Sequence, residues 1–479
     1  MDRNGSPSRA VCAVGGSALC ALALAGCASL PPNTPPREAK AANAYQTTAA
    51  FSAPSAAWPA DGWWKRYGDP QLDALMDEAL AGSPTLAQAE ARVVKARTVI
   101  ATTASQSLPQ LNGEGQISET KQSYKYLFPQ AFLPLGYQDY GQVTLNLNWE
   151  LDFWGKNRAA VAAAASEAQA AAADAAEARL VLTTDIASQY AALARLYADR
   201  EVALEAVKVR EETTTLTEQR VANGLDTQAE LKQAQAGTPA TLANVVGIEE
   251  EIAQTRDALA ALAGAGPDRG LALAPPKAAQ LTAFGLPTDL PMGLIGRRPD
   301  VVAARWRAQA ADRRVAQARA AFYPDINLAA YIGQQSLHLD ELTAPGAAIG
   351  SIGPALNLPI FQGGRLRATL RGARADRDAA VAAYDEAVTE ALREVADVAA
   401  SERSLGQRLT DSRKALEYYE GAYKVARLRY EGGLSTFQSV LLAEDAVLAE
   451  RQMVSDLDGR AFTLDVALVR ALGGGFGGA

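Results

Sequence analysis

Few side chains of this sequence could perform chemistry, and they are not grouped as an active site requires. The one histidine, His338, lies in a polar, loop-like stretch that is typical of a solvated residue. The sequence contains no G-x-S-x-G, phosphate-binding loop or H-E-x-x-H pattern. The acidic run Glu249, Glu250 and Glu251 indicates a solvated helix face, and the glycine-rich segment 473–478 follows a helix, whereas a phosphate cradle precedes one. We therefore expect neither an enzyme nor a bound cofactor or metal ion.

The three cysteines, Cys12, Cys20 and Cys27, indicate lipid attachment rather than catalysis. None lies beyond Cys27, so we predict no disulfide framework and no zinc site. An apolar run ends in Leu24-Ala25-Gly26-Cys27, which resembles a bacterial lipobox. Because the run is too short for a permanent membrane helix, it predicts a signal peptide over 1–26 that is cleaved before Cys27.

The lipobox implies acylation of Cys27 on its thiol and on its new amino group. Two acyl attachments form a stable anchor where a single chain is marginal. Ala28 follows, and the absence of Asp there favours the outer membrane, by resemblance to sorted lipoproteins. The segment 27–62 is proline-rich and lacks periodicity, which predicts an extended tether. An ordinary signal peptide with incidental cysteines is the alternative.

The composition argues against a thick globular core and against a nucleic-acid-binding protein. The chain has 479 residues and is 48% hydrophobic, largely through alanine, but only 6% aromatic. Alanine-rich helices, such as the one predicted over 159–178, pack closely and bury little area per residue, so we do not expect a thick globular core. The formal net charge of −8 gives no support for nucleic-acid binding.

Two long helices, each part of one repeated pattern, must position any functional residue. Gly224 follows Gly155 by 224 − 155 = 69 residues, and Gly433 follows Gly364 by 433 − 364 = 69 residues. Neither stretch contains proline, and apolar residues recur every three to four positions among strong helix formers. At ~1.5 Å per residue, such a helix is roughly 100 Å long. Gly224 and Gly433 suit the left-handed turn that ends a helix, so we expect each long helix to double back in a tight hairpin.

Before the first long helix the apolar period changes to two, which predicts an amphipathic strand. The alternating stretch 143–151 has about the 9–11 residues that a tilted membrane strand needs, and aromatic residues precede it as in an interface girdle. A soluble hairpin is the alternative. The apolar positions are Val143, Leu145, Leu147, Trp149 and Leu151; the positions expected to face a watery lumen are Asn146, Asn148, Glu150 and Asp152; the aromatic ones are Tyr124, Tyr126, Phe128, Phe132, Tyr137 and Tyr140.

The second half of the chain repeats the first. Pro109 matches Pro324 at an offset of 324 − 109 = 215, and Gly155 matches Gly364 at an offset of 364 − 155 = 209. The second β-hairpin is therefore 215 − 209 = 6 residues shorter than the first. Pro354 falls within the second copy of the strand, where a paired central strand excludes proline, so we expect a bulge or a position that donates no hydrogen bond there.

These signals predict a chain of six segments. They are a signal peptide (1–26); a lipidated, proline-rich tether (27–62); repeat 1 (63–264), with a β-hairpin at about 110–153, a long helix 156–222 and a return helix 227–264; an equatorial connector (265–296); repeat 2 (297–473), with a helix 299–322, a β-hairpin at about 325–362, a long helix 365–430 and a return helix 436–472; and a glycine-rich tail (474–479).

Four strands per chain cannot close a membrane barrel, and an open sheet edge cannot face lipid. The smallest barrels have about eight strands and are filled by side chains. Closure must therefore come from several copies of the chain. Two copies would give a plugged barrel and three a twelve-stranded one with room for a channel; strand counting alone only weakly prefers three.

Four motifs identify the chain as similar to a known family. They are W-W-K-R-Y-G-D-P-Q-L at Trp63, W-E-L-D-F-W-G-K-N-R at Trp149, L-I-G-R-R-P-D-V at Leu294 and A-R-A-A-F-Y-P-D-I-N at Ala318. Together they resemble the TolC/NodT family of outer-membrane efflux lipoproteins, over essentially everything after Cys27.

The resemblance implies a mainly α-helical protein with membrane β structure. It implies a homotrimer in which a twelve-stranded β-barrel is continuous with an α-helical barrel of long hairpins in the periplasm. It also implies passive conduction of small molecules from the periplasm to the exterior. A periplasmic adaptor (membrane fusion) protein and an inner-membrane, RND-type transporter would be the partners. No cofactor is implied.

By the same resemblance, the helical hairpin tips form the periplasmic entrance and dock the adaptor. The alternative is that these residues only build the turns. We expect them to build the turns and also to dock the adaptor, because an exposed leucine offers an adaptor an apolar contact. The tip residues are Arg220, Gly224, Leu225 and Thr227 in the first hairpin and Arg429, Gly433, Leu434 and Thr436 in the second.

The sequence departs from the family pattern at two places. Many members carry an acidic residue nine positions after the second tip glycine, where it forms a constricting carboxylate ring. Here Leu442 holds that position, with Glu444 and Asp445 close behind, so the gate is either apolar or has displaced acids. Arg305 stands where relatives often have Glu, which suggests that a partner of Arg305 has changed sign.

A non-conducting structural or adaptor lipoprotein, a periplasmic coiled coil, is the alternative function. Its helices would look the same, but it would not need two pairs of amphipathic strands. The exported compound is not encoded in this sequence, because in such systems the pump and adaptor select it.

Overall fold

The computed structural model describes residue 32 and residues 35–123, 125, 129–277, 279–281 and 283–477. The signal peptide, Cys27 and three of the predicted girdle residues, Tyr124, Tyr126 and Phe128, lie outside the described residues.

The described chain is mainly helical, with four strands. The helices are α1 (Pro70–Gly82), α2 (Pro84–Ser105), α3 (Lys156–Ala222), α4 (Gln228–Leu262), α5 (Pro267–Leu271), α6 (Leu290–Arg297), α7 (Pro299–Ala320), α8 (Arg365–Glu431) and α9 (Phe437–Ala471). The strands are β1 (Gln110–Thr120), β2 (Gln138–Glu150), β3 (Asp325–Ser336) and β4 (Ala348–Asn357). Short 3₁₀ turns cover Ala42–Ala44, Trp63–Tyr67, Gln130–Phe132 and Leu339–Glu341.

The internal repeat is visible in the lengths of the helices. Helices α3 and α8 have 67 residues each, and the helices that follow them, α4 and α9, have 35 each. Pro239 lies inside α4. In α1 the side chain of Asp69 accepts a 3.0 Å hydrogen bond from the Gln71 amide, and Pro70 occupies the first turn, where its missing N–H costs nothing.

By its internal contacts the chain divides into two units. One holds Val94–Ala170, Arg305–Ala383 and the described part of the segment before Ala39; the other holds Ala39–Val93, Ala171–Ala304 and the described residues from Tyr384 onward. We call them the sheet unit and the hairpin unit.

The sheet unit contains one antiparallel sheet in the order β1-β2-β3-β4. The two repeats meet at its centre, where Glu150 of β2 lies opposite Asn327 of β3. Pro354 lies on β4 opposite Leu328, and the register between β3 and β4 runs through it without an inserted residue. There is therefore no bulge at Pro354, which is a position that donates no hydrogen bond. Apolar side chains on the sheet stay exposed, including Ile117 and Ile352 at 75% each. This arrangement confirms the predicted four strands per protomer.

Two of the four sequence motifs meet below the sheet. The ring of Trp154 stacks on that of Tyr323 at 4.8 Å, and its Nε1 donates a 2.8 Å hydrogen bond to the carbonyl of Pro324. The Lys156 ammonium lies 3.0 Å from the Asp325 carboxylate. The first residues of α3 are thereby fixed to the turn that precedes β3. Elsewhere on α7, the guanidinium of Arg305 lies 5.9 Å from the ring centroid of Trp306.

The other two motifs build the core of the hairpin unit. Trp63, Trp64 and Tyr67 are buried with residues of α1, α3 and α9, and the rings of Tyr67 and Phe462 lie 4.6 Å apart. Buried Arg298 donates to Asp300, to Glu394 and to the carbonyl of Ala471. The R-R-P-D segment therefore joins the start of α7 to α8 and to the end of α9.

Across the described part of the chain, no helix combines the length and the apolar character needed to cross a bilayer.

Candidate functional site

The two hairpin tips end their long helices with the same hydrogen-bond pattern. In the first tip the Gly224 amide donates to the carbonyl of Val221 at 3.0 Å and the Leu225 amide to that of Arg220 at 2.9 Å. In the second tip Gly433 donates to Tyr430 at 3.0 Å and Leu434 to Arg429 at 2.7 Å. This is the Schellman ending of a helix, and it needs a left-handed residue, which Gly224 (φ 71°) and Gly433 (φ 72°) supply.

The returning helices start differently in the two tips. Thr227 and Glu230 form a capping box, in which the Glu230 side chain accepts from the Thr227 amide at 2.7 Å. Thr436 caps α9 without a side-chain bond to the backbone, and its hydroxyl lies 3.1 Å from that of Ser439. The first tip is thus held by one more reciprocal pair than the second.

Three side chains join the two hairpins directly, and we call Arg220, Asp226 and Tyr430 the tip cluster. The Arg220 guanidinium donates to Asp226 at 2.8 Å and to the main-chain carbonyl of Tyr430 at 2.6 Å. It also lies 4.3 Å from the centroid of the Tyr430 ring. The Tyr430 hydroxyl in turn donates to the Asp226 carboxylate. Every strong polar group of the cluster therefore has a partner, and the partners come from both hairpins.

The charges of the tip cluster stabilise one another. Burial alone would raise the pKa of Asp226, but hydrogen bonds from Arg220 and Tyr430 and the Arg220 charge lower that pKa below its ordinary value. Burial and the Asp226 carboxylate raise the pKa of Tyr430 to about 12. Asp226 is therefore ionised and Tyr430 a neutral donor throughout the physiological pH range.

An apolar cluster supports this polar link. Tyr430, Phe437, Val440 and Ala234 are buried together, from α8, α9 and α4. The rings of Tyr430 and Phe437 lie 6.0 Å apart. Because Tyr430 belongs to both groups, movement of either hairpin tip disturbs the packing and the ion pair together.

The outermost tip residues are exposed. Leu225 is 63% exposed and Leu434 is 72% exposed, and Arg429 is exposed as well. Arg220, by contrast, is only 9% exposed and is committed to the tip cluster. Of the residues predicted to dock an adaptor, the two leucines, Arg429, Thr227 and Thr436 are exposed, and Arg220 is the buried one.

The predicted gate residues on α9 point in different directions. Leu442 is 62% exposed, whereas Glu444 is fully buried against α3. There the Thr213 hydroxyl donates to Glu444 at 2.6 Å, and the guanidinium of Arg210 lies 2.9 Å from the other carboxylate oxygen of Glu444. Arg210 also donates to Asp445 at 2.5 Å. We call Arg210, Thr213, Glu444 and Asp445 the gate-level cluster.

His338 and the acidic run at Glu249, for which we expected no catalytic or metal-binding role, lie at the surface. The His338 side chain is 48% exposed, and its Nδ1 lies 3.9 Å from an Asp139 oxygen. Glu249 accepts from Arg200 at 3.0 Å across the surface of α3 and α4, and Glu250 accepts from Gln254 on its own helix. These contacts are those of solvated side chains.

Sequence reasoning missed three of the residues that matter here: Asp226, Tyr430 and Arg210. A signal for two of them was available in the repeat. At the offset of 209, Arg220 matches Arg429, but Tyr430 matches Val221 and Asp226 matches Ser435. The repeats therefore differ at the positions where one hairpin binds the other. Arg210 gave no comparable signal.

Comparisons with known proteins agree with this geometry. Residues 75–265 and 290–474 match the family described as outer membrane efflux protein. Over 361 residues the chain is 38% identical to the fusaric acid resistance protein FusA of Burkholderia cepacia, covering 74% of this chain and 68% of FusA. Over 460 residues it is 31% identical to the multidrug resistance outer membrane protein MdtP of Shigella flexneri, covering 95% of this chain and 94% of MdtP.

Solved structures show the same fold. The outer membrane protein VceC of Vibrio cholerae superposes with a TM-score of 0.82 at 44% identity, covering 88% of this chain and 100% of that one. The outer-membrane channel OprN superposes with a TM-score of 0.81 at 27% identity, covering 94% of this chain and 99% of that one. With the motifs, the four strands and the paired hairpins, these matches show that the chain belongs to the outer membrane efflux protein family.

Proposed function

We propose that this protein is the outer-membrane exit duct of a tripartite efflux pump, and that three copies of the chain form it. Within the chain, β1 and β4 each pair on one side only. An edge strand facing lipid leaves a row of unsatisfied N–H and C=O groups, so these edges require partners from other copies. This half-satisfied sheet, in a chain of the efflux family, is the observation that carries the proposal.

The hairpin tips are the proposed docking surface for a periplasmic adaptor protein, which links the duct to an inner-membrane transporter of the RND type. Leu225, Leu434 and Arg429 would make the contact, because they are exposed and, unlike the exposed Thr227 and Thr436, are not N-caps of the returning helices. Gly224, Gly433, Thr227 and Thr436 build the turns, and Arg220 holds the two turns together. Exposed apolar groups rimmed by polar residues are typical of such contacts.

The gate is proposed to lie on α9 near Leu442. Its exposed side chain would form an apolar ring when three copies surround a bore, and Asp445, which is also exposed, would place a carboxylate close behind. Buried Glu444 would not reach the bore. Its role would be to brace α9 against α3 through Thr213 and Arg210.

Acylation of Cys27 is proposed as the lipid anchor, after removal of residues 1–26.

Passive conduction needs no catalytic group or cofactor, and the family is one of efflux proteins rather than of enzymes. Relatives named for fusaric acid resistance and for multidrug resistance make small organic toxicants the class of cargo to test first.

A planar-bilayer recording of the purified, detergent-extracted protein separates this function from its alternative, a non-conducting structural lipoprotein. We expect unit conductance steps that are ohmic at low voltage, together with a trimer band that converts to monomer on heating. A preparation heated until only monomer remains is the control and should be silent. Intact protein that inserts but never conducts would favour the structural alternative.

A further inference from the structure

The hairpin unit contains a cavity of about 780 Å³ whose lining includes none of the proposed docking or gate residues. One wall is the segment 56–63, which ends at the core residue Trp63, and a second is the connector around Phe284. The floor is formed by α8 between Glu402 and Leu409 and by α9 near its end. Its volume is in the range of about 300–1,000 Å³ that is typical of small-molecule sites.

The first wall is fixed to the connector by several bonds. The Ala56 amide donates to the carbonyl of Leu286 at 3.0 Å, and the Leu286 amide donates to that of Pro54 at 2.8 Å. Trp58 Nε1 donates to Asp289 at 2.9 Å. Because both walls are held without any occupant, the cavity is preformed, and a ligand would not have to order them.

Most of the lining is apolar and aromatic, including Trp58, Trp63, Phe284, Leu405 and Leu468. Such walls bind the apolar body of a ligand by excluding water. Aromatic rings also attract a cation that lies over their faces.

The charged groups of the lining are paired, with one exception. Asp465 accepts from Arg66 and from the Tyr67 hydroxyl, and Asp61 lies 3.1 Å from Arg179. Glu402, which is half-buried in the apolar floor, has no hydrogen bond or ion pair to any of the described residues. Burial and the nearby Asp465 charge raise the pKa of Glu402, which is the expected response of a carboxylate that lacks a cation. The cavity thus has one unsatisfied negative group among aromatic walls.

We propose that this cavity is a binding site for an amphipathic organic cation. The positive centre of the ligand lies against Glu402, and its apolar body lies against Trp58, Phe284 and Leu405. The site is formed by residues other than those of the tip cluster and the gate-level cluster, so it is distinct from both. An occupant would add contacts between the segment 56–63 and helices α8 and α9.

Tetraphenylphosphonium is a suitable probe, and tetraphenylborate is its matched control, since the two ions have the same shape and opposite charge. The measurement is quenching of tryptophan fluorescence in the full-length, detergent-extracted trimer. We expect saturable quenching by the cation with one site per protomer, and no saturable quenching by the borate anion.

Variants at Glu402 test the contact itself. Glu402→Gln should weaken tetraphenylphosphonium binding at least about tenfold, because it removes the one unpaired charge of the cavity. Glu402→Asp should retain most of the binding. Glu417→Gln, an exposed position on the same helix, should leave the affinity unchanged.

Equal affinity in the wild-type protein and Glu402→Gln would overturn the proposal. So would wild-type protein that shows no saturable quenching, as expected if a neighbouring protomer fills the cavity in the trimer. If Glu402→Gln does not form trimers, the comparison of the cation with the borate anion decides: equal binding of both ions contradicts the proposal.

Discussion

The guanidinium of Arg220 lies over the ring of Tyr430 at 4.3 Å and donates a 2.6 Å hydrogen bond to the Tyr430 main-chain carbonyl. Arg220 lies in the last turn of α3 and Tyr430 in the last turn of α8, so this contact joins the two long helices at their tips. Asp226 completes the link by accepting from both side chains. We infer that the link keeps the two hairpins together in the resting duct.

Loss of the link should open the periplasmic end. Arg220→Ala leaves the Asp226 carboxylate, only 7% exposed, without its cation, and breaking such a buried pair costs about 3–5 kcal/mol. We expect a several-fold rise in the resting open probability in planar bilayers. Tyr430→Phe removes one charge-assisted hydrogen bond, worth about 1.5–3 kcal/mol, and should produce a smaller rise.

Arg429→Ala is the matched control, because Arg429 occupies the equivalent position of the second repeat but is exposed. Its purified channel should behave as the wild type does, although export in cells should fall if Arg429 contacts the adaptor. Identical recordings from Arg220→Ala and the wild type would show that the tip cluster does not hold the duct closed.

The turn glycines should be needed for export but not for assembly. Gly433 has a φ of 72°, which a β-branched residue adopts only at a cost of about 1–3 kcal/mol. Gly433→Val should therefore distort the second tip and abolish export, while heat-sensitive trimers remain in the membrane. Gly432→Val tests the neighbouring glycine, whose added Cβ meets nothing closer than 3.5 Å. We expect it to export far better than Gly433→Val, and normal export by Gly433→Val contradicts the tip assignment.

A carboxylate at the proposed gate should change ion selectivity. Leu442→Asp would place three negative charges around the bore, since one comes from each copy. The reversal potential in a salt gradient should then shift toward cation selectivity, and the shift should shrink at high salt because of screening. Leu428→Asp serves as the comparison, since Leu428 lies on α8 and is 58% exposed, close to the 62% of Leu442. An unchanged reversal potential in Leu442→Asp would place Leu442 away from the bore.

One half-buried acid, Glu177, should make the stability of the hairpin unit depend on pH. Burial, together with the charge of Asp300, raises the pKa of Glu177 to about 7, against an ordinary value of about 4.3. A raised carboxyl pKa means that the folded state binds more protons, so stability falls as pH rises from about 4.3 to about 7 and is constant above.

Thermal unfolding of detergent-extracted protein between pH 5 and pH 8 tests this dependence. The wild-type Tm should fall relative to that of Glu177→Gln as pH increases to about 7. Glu211→Gln, an exposed position on the same helix, should follow the wild type. Parallel curves for the wild type and Glu177→Gln would exclude Glu177 as the source.

The sequence predicted the fold from features with long-range periodicity. The alternation in 143–151 predicted a strand, and the two 69-residue spacings predicted the long helices, because those patterns extend over many residues. The contacts between repeats could not be predicted in the same way. Arg220, Asp226 and Tyr430 are far apart in the chain, and only the folded turns bring them within hydrogen-bond distance.

The role of Pro354 also depends on strand pairing, which periodicity does not predict. Its place in an alternating strand suggested a bulge or a position without a donated hydrogen bond, and the sequence does not decide between the two. The continuous register between β3 and β4 excludes the bulge. The sequence also did not predict that the Glu444 side chain is buried. Neighbouring helical positions face different sides, and only the packing of α9 on α3 shows which side is buried.

Cysteine cross-linking between β1 and β4 tests the shared wall most directly. No cysteine lies beyond Cys27, so a pair such as Glu114→Cys with a scanned position in β4 would be the only thiols of the strands. We predict that at least one pair gives a covalently closed trimer, which stays trimeric after heating, conducts in bilayers and becomes monomer on reduction. A complete scan of β4 that yields only monomers would contradict the shared wall.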